Sequence, residues 1–167
     1  MTSGNQGVTR DQVIGGLQDD LGREYKAIIQ YVIFSQKLHD AKYQWIAQQL
    51  TVHAHQELDH ALALARQLDY FDAYPIHQPK PVWTSQNNEE MLWYDLYAED
   101  ETIRNYRRRI KDAEELGEYA LAEVLQDIVQ QEQDHQIDLA TALNVVSDDR
   151  QRQGQGPGIP GTSGKAP

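Results

Sequence analysis

The chain has 167 residues, a net charge of −11 and no cysteine. That length suits one domain with a sizeable core, and the lack of cysteine excludes a disulfide framework and thiolate metal sites. The acidic balance argues against nucleic acid as the main partner. No apolar run reaches membrane-spanning length and residues 1–8 do not read as a basic, apolar leader, so a cytoplasmic protein without a membrane partner is expected.

Apolar residues recur in steps of three and four, and no stretch alternates as a strand would, so the expected fold class is all-α. Thr9 with Gln12 carries a capping-box signature and opens a first helix over 9–38. A short turn at 39–41 follows, with Asp40 as expected N-cap of a second helix that runs to about residue 70. Residues 71–86 contain Pro75, Pro79 and Pro81 and cannot form one helix. Asn87 with Glu90 opens a third helix to about residue 115, and Gly117 stops it. A fourth helix ends near Val146. The expected division is a flexible N-terminus (1–8), a four-helix bundle (9–146) and a Gly/Pro-rich disordered tail (147–167).

The turn lengths set the topology. Two short turns make two antiparallel hairpins. A helix of roughly 30 residues is about 45 Å long, and the connection between the hairpins can extend to about 55 Å. It can therefore carry the chain along the bundle and leave the second and third helices parallel.

Each helix carries one glutamate inside its apolar stripe: Glu24, Glu57, Glu99 and Glu132. Glu24 and Glu57 lie 33 residues apart, as do Glu99 and Glu132, and the two sets are offset by 75. His60 and His135 each follow a glutamate by three positions. The repeat extends to Gln56-Glu57-x-Asp59-His60 and Gln131-Glu132-x-Asp134-His135, and to Tyr31 and Tyr106. Within each hairpin the two glutamates are equidistant from the turn, so all four can share one level. Four buried carboxylates need neutralisation, because each desolvated charge costs several kcal/mol. Two divalent cations supply it, with one histidine nitrogen added per metal. Such a donor set suits iron or manganese, and zinc less well.

This arrangement resembles the ferritin-like di-iron carboxylate proteins, whose ligand pattern is a known four-helix type. Glu24-Tyr25-Lys26-Ala27-Ile28-Ile29-Gln30-Tyr31 is similar to the first-helix motif of bacterioferritin and related bacterial ferritins, and Met91-Leu92-x-x-Asp95-Leu96-x-x-Glu99 to the third. The resemblance spans about residues 9–143. It implies two irons, with Glu24, Glu57 and His60 on one, Glu99, Glu132 and His135 on the other, and Glu57 and Glu132 bridging. Tyr31 would lie beside the site as part of the catalytic set. The implied activity is ferroxidation, in which dioxygen or peroxide oxidises Fe(II) to Fe(III), for iron detoxification or storage by a homo-oligomer. The family's haem-ligating methionine is replaced by Leu58, so no haem is expected. The family's fifth helix is replaced by the Gly/Pro tail, which leaves a cage, a smaller oligomer and an encapsulated form open.

Two other function classes remain: a di-metal peroxidase or oxidase acting on peroxide or an organic substrate, and a non-catalytic metal-binding bundle. Asp59 and Asp134 are candidate hydrogen-bond partners for the ligand histidines. His53 is expected at the surface or in a hydrogen bond, since its repeat counterpart is Ile128. Ile14, Ile29, Val32, Ile33, Tyr43, Trp45 and Ile46 form a candidate dimer face, unless the crossover covers it through Tyr74, Ile76 and Trp83.

Overall fold

A computed structural model describes residues 7–152 and 154–160. Four long helices form the bundle: α1 (Arg10–Lys37), α2 (Gln44–Tyr70), α3 (Asn88–Leu116) and α4 (Tyr119–Leu143). No strand occurs among the described residues. α1 packs on α2 and α3, and α4 packs on α3 and α2, so the four helices form a ring.

The ends of the helices follow local chemistry. Thr9 accepts from the Gln12 backbone N–H and Gln12 accepts from that of Thr9, a reciprocal box that opens α1. Asn87 accepts from the Glu89 and Glu90 backbone N–H groups and opens α3. Gly117 closes α3 at φ 82°, a left-handed position that glycine takes without a Cβ clash. Asn144 closes α4 in the same region, at φ 55°. The start of α2 departs from expectation. The Asp40 side chain makes no cap hydrogen bond there; a 3-10 turn over Ala41–Tyr43 intervenes, and α2 begins at Gln44.

The segment between α2 and α3 runs up the side of α1. The Ile76 N–H donates to Gln18 Oε1 (2.8 Å), the Lys80 N–H to Gly22 O (2.8 Å) and the Trp83 N–H to Gln30 Oε1 (2.8 Å). A Cβ at Gly22 would stand 3.2 Å from Ile76, so the missing side chain lets the crossover lie close. Ile76 and Trp83 are half-buried on α1, whereas Tyr74, Val32 and Trp45 stay exposed. Of the expected dimer face, Tyr43 and Ile46 are instead buried in the bundle core and Ile14, Ile29 and Ile33 are half-buried, so only Val32 and Trp45 are left exposed.

Two apolar clusters fill the bundle. One gathers Phe34, Ile46, Leu50, Leu92, Leu96 and Leu139; the other gathers Leu17, Leu21, Leu64, Leu68, Tyr106 and Leu125. On every helix the ligand-type glutamate lies between the residues of these clusters, so the acids form a layer sandwiched by apolar packing. Among the described residues after α4 there is no regular helix, and part of this segment is anchored on α3. The Arg152 guanidinium is buried and donates to both oxygens of Asp100 (3.0 and 2.6 Å). The Tyr97 hydroxyl donates to the Pro157 carbonyl at 2.8 Å. Residues 161–167 lie outside the described ones.

Candidate metal centre

Each helix contributes one inward glutamate because the position falls on its apolar stripe. Glu24, Glu57, Glu99 and Glu132 are all buried, as are His60 and His135. Their ligand atoms fall into two overlapping groups: Glu24, Glu57, His60 and Glu132, then Glu57, Glu99, Glu132 and His135, each set within 4.8 Å. Glu57 and Glu132 belong to both. His60 Nδ1 lies 3.2 Å from Glu57 Oε2 and 3.2 Å from Glu132 Oε1. His135 Nδ1 lies 3.0 Å from Glu57 Oε1 and 3.2 Å from Glu132 Oε2.

Each histidine turns its other nitrogen outward. His60 Nε2–H donates to Gln131 Oε1 and His135 Nε2–H to Gln56 Oε1, both at 2.8 Å. That fixes the tautomer and aims both Nδ1 atoms at the carboxylates. Asp59 and Asp134, the partners expected from sequence, are instead exposed on the outer faces of α2 and α4. The glutamine preceding each glutamate reaches the histidine of the facing helix, which an aspartate one turn further round does not. Tyr31 donates to Glu99 and Tyr106 to Glu24, crossing between α1 and α3 in both directions.

The donor set leaves room for cations. Glu24 Oε2, Glu57 Oε1, both oxygens of Glu132 and His135 Nδ1 are buried without a hydrogen-bond partner among the described residues, which a folded protein tolerates only with strong compensation. Charge tells the same story. Burial, then the Glu57 charge, pushes Glu24 well up; burial, then Glu132, does the same to Glu99. Burial opposes charge on Glu57, but a hydrogen bond with Glu24 and then contacts with His135 and His60 outweigh it and hold it well below its ordinary value. Burial and the Glu57 charge oppose charge on Glu132, and contacts with His135 and His60 hold it lower. Burial disfavours charge on the two histidines, and the surrounding carboxylates overcome it and raise them. Protons on two acids and two imidazoles therefore balance the layer, and two divalent cations carry the same total charge.

His53, expected at the surface or in a hydrogen bond, is buried and hydrogen-bonded. Its ring stacks on His135 with centroids 4.0 Å apart, and its Nε2–H donates to Asp138 at 3.2 Å. Burial, then the His135 charge, lowers it to about 3. The burial had a signal in the sequence: Ile128, the repeat counterpart, marks the position as inward. A cleft between α1 and α3 reaches the four glutamates, past Arg23, Lys26, Ala27, Ala98, Glu101 and Thr102. It has room for about one water-sized molecule.

An all-α bundle with paired Glu and Glu-x-x-His positions on facing helices defines a class of carboxylate metal proteins. Residues 14–148 match the ferritin-like domain family, and the chain belongs to that family. It is 27% identical over 137 residues to the bacterioferritin of Brucella melitensis biotype 1, covering 81% of this chain and 85% of that one. It is also similar to a solved ferritin-like, diiron-carboxylate protein from Bacillus anthracis str. Ames. There the TM-score is 0.77 and the identity 30%, covering 80% of this chain and 96% of that one. No described helix is long and apolar enough to cross a membrane.

Proposed function

We propose that this chain is a ferroxidase, acting as a cytoplasmic homo-oligomer that oxidises Fe(II) for detoxification or storage. Glu24, Glu57, His60 and Glu132 would hold one iron, and Glu57, Glu99, Glu132 and His135 the other. The observation that carries the reading is the shared layer itself: six donors, all buried, in two groups that meet at Glu57 and Glu132.

Two irons held side by side each give up one electron, so a two-electron oxidant is reduced in one encounter: dioxygen to peroxide, or peroxide to two waters, with two protons taken up. Glu57 and Glu132, which belong to both donor groups, would hold both ions side by side. Tyr31 and Tyr106 hold Glu99 and Glu24 by donating to them, and Gln56 and Gln131 hold the histidines. The narrow cleft between α1 and α3 favours a small inorganic oxidant over an organic substrate, which would need a larger pocket. Exposed Val32 and Trp45 on α1 and α2 support association through that face.

The test is ferric-absorbance kinetics on the wild type and on Glu57→Ala and Glu132→Ala. Loss of more than about a hundredfold in initial rate is expected, beyond what loss of an outer partner gives, with helix content unchanged by circular dichroism. Oxidation at the wild-type rate in both variants would refute the reading.

A further inference from the structure

The two halves of the centre match in their six donors but not in what stands behind the histidines. Behind His135 lies the His53 ring, 4.0 Å away between centroids and inclined by 26°. Tyr31 meets both rings edge-on, at 5.4 Å from His53 and 6.1 Å from His135. Asp138 accepts from His53 and holds it in place. Under the 75-residue repeat the positions equivalent to His53 and Asp138 are Ile128 and Ala63, so neither an imidazole nor a carboxylate stands at the corresponding place in the other half. Nothing in the charge balance of the six donors calls for His53, and its Nδ1 is buried without a hydrogen-bond partner among the described residues.

We propose that His53 is a positioning residue that makes the two halves unequal, so that a divalent cation settles first beside His135. The inference rests on the two-metal reading above. The stack restricts the His135 ring to one plane before any metal arrives, so less freedom is lost on binding. With its Nε2–H given to a carboxylate, the His53 ring is electron-rich and faces an imidazole that coordination makes electron-poor, which favours the coordinated state. His60 has its glutamine hydrogen bond, but the imidazole it faces is His135 itself, farther off at 6.1 Å between centroids. An ordered filling of the centre follows: the His135 side holds the first cation and the His60 side completes the pair.

The test is crystallographic and needs no turnover. Crystals of the full chain are grown with one equivalent of cobalt(II), and the anomalous scattering is measured at both positions. In the wild type the peak beside His135 is expected to exceed that beside His60 by about threefold or more. In His53→Ile, which copies the residue found in the other half, the two peaks should become nearly equal. Asp138→Asn, a half-exposed change that spares the core, should narrow the difference. Equal peaks in the wild type, or an inequality that survives both variants, would overturn the inference alone. Cobalt at neither position in the wild type would overturn the two-metal reading and this inference with it.

Discussion

The two hairpins carry the same ligand layer but bury a second pair of acids in opposite ways. Asp20 on α1 accepts from Arg109 Nε at 3.0 Å and from Arg23. Its counterpart on α3, Asp95, accepts only from the neutral Gln30 amide at 2.9 Å, and its other oxygen has no hydrogen-bond partner among the described residues. Burial pushes the Asp95 carboxyl well above its ordinary value. The cause is a matched exchange of volumes. Gly16 leaves space for Arg109, since a Cβ there would stand 1.6 Å from the guanidinium carbon. The equivalent pair is Met91 and Phe34, both buried, which fill their space with apolar atoms. A buried acid can be neutralised by a counter-charge, by a proton or by a metal. Asp20 uses the first and Asp95 the second, and the glutamate layer, on our reading, uses the third.

The comparison breaks most visibly at Arg109. Arg109→Met should destabilise the metal-free protein by about 3 kcal/mol, because Asp20 loses its buried partner from α3. Denaturant unfolding checks it, and a loss below about 1 kcal/mol would mean that Arg23 alone suffices for Asp20. The triple variant Gly16→Met, Asp20→Asn and Arg109→Phe, which takes the apolar pair of the other half and removes the buried charge, should recover most of the loss.

Asp100 is a third buried acid handled by counter-charge, here from the segment after α4. Arg152→Ala should cost about 2 kcal/mol, less than a full ion-pair break because Gln136 still donates to Asp100. The same variant should expose residues near 150 to limited proteolysis.

Smaller effects attach to the tyrosines. Tyr106→Phe frees Glu24 and Tyr31→Phe frees Glu99, and each should slow ferrous oxidation by about tenfold with unfolding unchanged beyond 1 kcal/mol. Stopped-flow absorbance measures the first and thermal melts the second.

The smallest effect concerns Asp95 and pH. Its folded-state value is raised, so its contribution to stability is present at acid pH and is lost as pH rises toward the folded value. Asp95→Asn should therefore lie within about 1 kcal/mol of the wild type at low pH and gain on it as pH rises. Melting curves at pH 5 and pH 8 give the sign. A variant that loses ground with rising pH would contradict a neutral Asp95.

Much of this was legible in the sequence because periodicity and repeat spacing act over whole helices. The stripe placed Glu24, Glu57, Glu99 and Glu132 inward, and the turns set their common level. Side-chain reach across the bundle was less legible. Gln56 and Gln131 stood in the repeated motif beside Asp59 and Asp134, and only the facing helix decides which residue meets a histidine. His53 was hidden by its polarity, although Ile128 at the equivalent place marked the position as buried. Arg152 sits in a Gly-rich stretch with no periodicity, so nothing local points to Asp100. Asp40 looked like an N-cap, but its φ of 102° turns the chain into a 3-10 step instead.

The most direct test of the two-metal account is ferrous titration of the full, metal-free chain in air, with bound iron counted after gel filtration. The account predicts a fast oxidation phase that ends at about two Fe(II) per chain. No fast phase above buffer, with iron near zero on the protein, would contradict it.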